Sequence, residues 1–136
     1  MERKCVMVID SELPMGLIAN TAAVLALTLG KKVEGIIGPE VIDVTGTIHE
    51  GITTMPIPIL KGDKSNIKAL RDTIGAEHPD LLLVDFSNAA QTTKNYEDYI
   101  HKMAQCAQDD LEYLGIAIYG EKRKVNKLTG SLGLLR

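Results

Sequence analysis

Four short segments of the chain read as strands: Lys4–Ile9, Lys32–Ile37, Leu81–Phe86 and Gly115–Gly120. A continuous apolar run of this length, rather than an alternating one, marks a strand covered on both faces. Between the first two lies Gly16–Leu29, where small and large apolar residues surround the whole helix, and Gly30 follows as the expected C-terminal cap. Ser65 is positioned to cap a second helix with Ile67, Leu70 and Ile74 on one stripe, ending near Gly75. Thr92–Leu111 predicts a longer third helix, with Tyr96, Tyr99/Ile100, Met103 and Ala107 on its apolar side. Glu40–Leu60 has neither period. It is rich in Thr and Ile, broken by Gly46 and Gly51, and carries Pro56 and Pro58, so edge strand or irregular loop is expected. The order β-α-β-(loop/β)-α-β-α-β predicts an α/β fold in three layers, a sheet with helices on both faces.

With 136 residues the chain fits one domain spanning 1–136, large enough to bury a core without a staple. Apolar residues are 45% and charged ones 24%, which excludes a disordered chain. No Trp and a single Phe leave the core to aliphatic side chains. Leu13–Gly30 lacks charge over about the length of a short membrane span, yet Pro14, Gly16, Asn20, Thr21 and Thr28 make it a core helix. Cys5 and Cys106 are too few and too far apart for a zinc ribbon or a redox motif. Without a secretory signal pattern, a cytoplasmic location is expected. The net charge of −3 is too mild for a nucleic-acid coat. It is unevenly spread: residues 72–120 hold nine acidic and two basic groups, whereas the last sixteen hold five basic and one acidic. That tail is a solvated basic segment or a local anion site.

Ligands of open α/β sheets sit beyond the carboxyl ends of the strands. The rule selects Asp10–Glu12, Gly38–Asp43, Asp85–Asn88 and Gly120–Lys124. Asn20, among Ile18, Ala19, Ala22 and Ala23, needs hydrogen-bond partners if buried and is a candidate for orienting a ligand. Asp43, Thr45, Thr47 and His49 share one face of an extended segment. An acid and a histidine there suit an orienter and a general base, but in a straight strand they stand roughly 20 Å apart. They meet only if Gly46 turns the chain. Asp10, Asp85 and Lys122 look like the acid, phospho-acceptor and lysine set of receiver domains, although only one acid ends the first strand and Asp85 follows 75 residues later. His78 and His101 have no ligand partner at metal spacing, and no phosphate-loop or dinucleotide motif is present, so neither a metal nor a cofactor is expected.

Lys4–Asp10, Leu13-Pro14-Met15-Gly16 with Ile18-Ala19-Asn20, Ile37-Gly38-Pro39, Asp43 with Gly46 and His49, and Tyr119-Gly120 with Val125 and Leu128-Thr129-Gly130 resemble the domain-of-unknown-function family numbered 2000 over nearly the whole chain. The resemblance implies a fold similar to peptidyl-tRNA hydrolase type 2, with a mixed, roughly four-stranded sheet between helices. The first forty residues look like that hydrolase directly. The hydrolase has a Lys-rich insert after its Met-Gly and a His in the following helix. Here Met15-Gly16 runs straight into Leu17, and Val24 stands at the histidine's position. Three roles are expected from these features: a small-molecule site at the crevice of Asp10, Asn20, Asp43, His49 and Lys122; RNA association, with tRNA as partner; or a non-catalytic homodimer pairing through the 52–60 edge.

Overall fold

In the computed structural model, which describes residues 2–136, the first apolar run is β1 (Arg3–Asp10). It is followed by α1 (Met15–Lys32), a minor hairpin of β2 (Val41–Ile42) and β3 (Ile48–His49), and β4 (Ile59–Gly62). Then come α2 (Lys64–Glu77), β5 (Leu82–Ser87), α3 (Asn88–Gln91), α4 (Tyr96–Ala104), β6 (Tyr113–Glu121) and α5 (Lys122–Thr129). The main sheet has the order β4-β1-β6-β5. β4 runs parallel to β1, whereas β6 is antiparallel to both β1 and β5, so the sheet is mixed.

Strand alternation divides the aliphatic residues between two cores. Cys5, Met7 and Ile9 of β1 join Leu25, Leu29 and Ala117 under α1. Val6 and Val8 join Ile67, Ile74, Ile116, Ile118 and Val125 under α2 and α5. The result is the expected three layers. A bulge near Phe86/Ser87 shifts the pairing with β6, so that Leu114 and Gly115 lie together on the α1 side. Gly115 lets α1 close onto the sheet: a Cβ there would stand 2.8 Å from Thr21 Cγ2.

Several expectations are corrected. Gly30 does not end α1, which continues to Lys32; the Val33 amide still bonds Leu29 O, and the positive φ falls on Gly35 (80°). The run Lys32–Ile37 is therefore not a strand. Val33 and Ile36, three apart, plug the core as a turn, and only Ile37 makes a bridge, to Thr53. The second helix is capped by Asp63 rather than Ser65. Its carboxylate accepts the Asn66 amide at 2.7 Å while Asn66 Oδ1 accepts the Asp63 amide at 2.8 Å, a reciprocal capping box. β5 is an edge strand, half-buried along most of its length rather than buried throughout. Thr92–Leu111 is not one helix. Asn95 starts α4 by accepting the Asp98 amide at 2.8 Å, and a 3-10 turn at Gln108–Asp110 follows; Tyr96 and Ile100 of the expected stripe are exposed.

Part of the expected 52–60 edge is already paired within the chain. The C-terminal segment lies along β4, with Lys61 N–H donating to Gly133 O at 2.8 Å and Leu135 N–H to Ile59 O at 2.9 Å. Among the described residues no helix is long and apolar enough to cross a membrane.

Candidate functional site

The antiparallel course of β6 separates the residues that the strand-end rule grouped together. β1 begins opposite Glu121 and ends beside Gly62, so Asp10 and Lys122 occupy opposite ends of the sheet, about 25 Å apart at the rise of an extended chain. Gly120–Lys124 is thus at the wrong end, and the receiver-like set of Asp10, Asp85 and Lys122 does not assemble. Asp10 is buried, its Oδ1 accepting the Glu12 amide at 3.0 Å, a contact that closes the turn into α1. Lys122 pairs with Glu2 at 3.0 Å and Lys124 with Asp80 at 2.6 Å, so part of the basic tail is neutralised locally. Asn20, which would need hydrogen-bond partners if buried, is exposed on α1.

One predicted pair does meet. Gly46, at φ 89°, turns the chain, and His49 Nε2 lies 2.7 Å from Asp43 Oδ2. The Asp43 carboxylate also accepts the Thr45 hydroxyl at 2.6 Å and the amides of Thr45 and Thr47 at 2.9 and 3.1 Å. These donors, the Thr45 hydroxyl first and then His49, hold its pKa down at about 2. Being ionised, the carboxylate is acceptor only, so the His49 Nε2 carries the hydrogen of this contact. Both side chains are exposed. The arrangement locks a hairpin tip.

A hollow of about 590 Å³ lies elsewhere, along the open edge of β5. Among the described residues β5 pairs only with β6, so its outer side is uncovered by any strand. Val24, Thr28 and Lys32, spaced four apart on α1, form one wall. Leu82, Val84 and Phe86 supply an apolar floor. Thr93 and Lys94, with Tyr96 and Tyr99 from the first turn of α4, form the opposite wall. That wall is braced. Lys102 Nζ donates to Thr92 Oγ1 at 2.7 Å, Asn95 caps α4, and the two tyrosine rings meet edge-on at 5.5 Å.

The electrostatics of this groove are one-sided. Asp85 lines it, but Arg71 Nε donates to Asp85 Oδ2 at 3.2 Å, and the same guanidinium lies 5.6 Å from the centre of the Tyr113 ring. Lys32 and Lys94 pair with no carboxylate among the described residues. Burial, followed by the Asp85 charge, raises the Tyr99 pKa and keeps that hydroxyl a donor. An apolar slot with two unspent cations and a phenol suits a hydrophobic body carrying an acidic group. Asn20 lies one turn before Val24 on α1 but does not line this groove. The signals for the groove were present in the sequence: Thr28 and Lys32 continue the Val24 spacing, and Asn95-x-x-Asp98 marks a helix start that frees Thr92–Lys94 as loop.

Comparison with solved structures finds a protein of unknown function, Atu0240, from Agrobacterium tumefaciens str. C58. It is 16% identical, with a TM-score of 0.88, and the match covers 98% of each chain. At that identity the likeness shows the fold alone. A search of curated proteins finds no significant match. The family model described as "Protein of unknown function (DUF2000)" matches residues 3–136, and the chain belongs to that family.

Proposed function

We propose that the protein binds a small apolar acid in the groove between α1, the β5 edge and the Thr92–Tyr99 segment. The observation that carries this reading is the groove itself: about 590 Å³ of apolar slot whose one carboxylate is matched by Arg71 while Lys32 and Lys94 are unmatched. That volume lies inside the usual range for a ligand pocket of roughly 300–1,000 Å³. The small-molecule role expected from the sequence is thereby moved from the strand-end crevice to the flank of the sheet. The Leu13-Pro14-Met15-Gly16 turn into α1 supports a fold similar to peptidyl-tRNA hydrolase type 2. Val24, in the groove wall where the hydrolase's helix carries its histidine, offers no proton acceptor, which supports binding rather than that hydrolysis. Two free cysteines on opposite sides of the sheet are in keeping with a reducing, cytoplasmic setting.

The test uses 1-anilinonaphthalene-8-sulfonate, an apolar body with one sulfonate, titrated into the folded protein by fluorescence. Saturable one-to-one binding that weakens about tenfold in Lys94→Glu and in Tyr99→Ala, a change of about 1.4 kcal/mol each, supports the groove. Binding left unchanged by both substitutions refutes it.

A further inference from the structure

A hollow over one face of a strand is lined by every second residue, because successive side chains point to opposite faces. The groove is instead lined by five residues in a row, Leu82, Leu83, Val84, Asp85 and Phe86, so it lies against the outer edge of β5, where the backbone is. On that edge every second residue turns both its N–H and its C=O away from β6. Among the described residues no backbone hydrogen bond reaches Leu82–Phe86 from outside the β5–β6 ladder. An open row of this kind is a template for another extended chain.

Side chains wall the edge on both faces. Leu82, Val84 and Phe86 belong to the α1 side of the sheet, with Val24 and Thr28 beside them. Leu83 belongs to the α2 side, as does Met103 of α4, the helix that supplies Tyr96 and Tyr99 to the groove. From Leu82 to Phe86 the edge runs roughly 13 Å, the length of about four extended residues.

We infer that the ligand of this groove is a short apolar peptide with a free carboxylate, paired as an added strand along β5; the inference rests on the groove being the acid-binding site. In such pairing main-chain hydrogen bonds supply affinity and pockets for alternate side chains supply specificity. Here alternate side chains meet Val24 and Thr28 on one face and the two tyrosines on the other, while the carboxylate meets the unmatched Lys32 and Lys94. A second copy of β5 fits less well. Edge to edge it brings the same lysines, and its one carboxylate in the groove, Asp85, is held by Arg71.

The experiment is displacement of anilinonaphthalene sulfonate from the full chain by acetyl-Leu-Ala-Leu-Leu with a free carboxyl end, by 4-methylpentanoate, and by the peptide N-methylated at one amide at a time. The peptide is expected to displace the dye at a concentration at least about tenfold below that of 4-methylpentanoate. N-methylation is expected to weaken it about tenfold at every second amide and little at those between, since only alternate N–H groups face β5. A peptide no better than the simple acid, or a scan without that alternation, overturns the inference and leaves the acid site standing. Dye binding indifferent to Lys94→Glu and Tyr99→Ala removes the acid site and the inference with it. A β5-to-β5 dimer in sedimentation equilibrium that the peptide does not dissociate also overturns the inference.

Discussion

Gly115→Ala tests how α1 is seated on the sheet, and with it the width of the ligand groove. In an extended segment alanine is intrinsically better than glycine, by roughly 0.5–1 kcal/mol, so an open site would gain stability. The site is not open: the new Cβ would stand 2.8 Å from Thr21 Cγ2 and 3.2 Å from both Ile9 Cγ1 and Val8 O. Thr21 is fully buried and its hydroxyl donates to Leu17 O at 2.7 Å, so its rotamer is fixed and the helix itself must move. Overpacking of this kind costs about 1–3 kcal/mol, which lowers the melting temperature of a domain this size by about 3–12 °C. Thr21→Ser keeps the hydroxyl and removes the obstructing methyl. In that background Gly115→Ala is expected to lose most of its cost, a coupling readable in a double-mutant cycle by urea unfolding. Gly133→Ala, where a Cβ meets nothing within 4 Å, is the control. A Gly115→Ala protein as stable as wild type, or a cost unchanged by Thr21→Ser, refutes the close seating of α1.

Arg71→Ala releases Asp85 into the groove as an unmatched carboxylate, so the affinity for the anilinonaphthalene sulfonate is expected to fall about tenfold although Arg71 does not line the cavity; unchanged affinity contradicts the charge argument. Asp63→Ala removes the cap of α2 and is expected to cost about 1 kcal/mol in urea unfolding. The Asp43 carboxyl, with a folded pKa of about 2 below its ordinary 3.8, adds stability to the hairpin tip that is present above about pH 4 and lost as pH falls toward 2. Carbon-detected NMR titration is expected to show that midpoint rising toward 3.8 in Thr45→Val. Burial pushes the Cys5 thiol up to about 11, so Ellman's reagent is expected to label Cys106 alone in the native protein and both thiols after unfolding.

What the sequence discloses follows from how local each cause is. The runs at Lys4–Ile9 and Gly115–Gly120 read correctly as buried strands because both faces of β1 and β6 are covered, and burial on two faces leaves an unbroken apolar string. Strand direction leaves no such mark, and the antiparallel course of β6 is what sends Lys122 away from Asp10. Lys32–Ile37 has the composition of a strand, but Gly35 takes a positive φ and the segment packs as a turn. The Asp43–His49 pair was legible as a conditional geometry, and Gly46 met the condition. Asn20 misleads because small apolar neighbours surround it in sequence while its own face of α1 points to solvent. The groove along β5 is assembled from α1, β5 and the first turn of α4, and α1 ends about fifty residues before β5 begins, so no single local pattern announces it.

The most direct test of the account is to map the anilinonaphthalene sulfonate onto the protein by backbone amide NMR. Shifts concentrated at Val24, Thr28, Val84, Lys94 and Tyr99 are the predicted result. Shifts gathered instead around Asp10 at the strand end, or confined to the Val41–His49 hairpin, would contradict it.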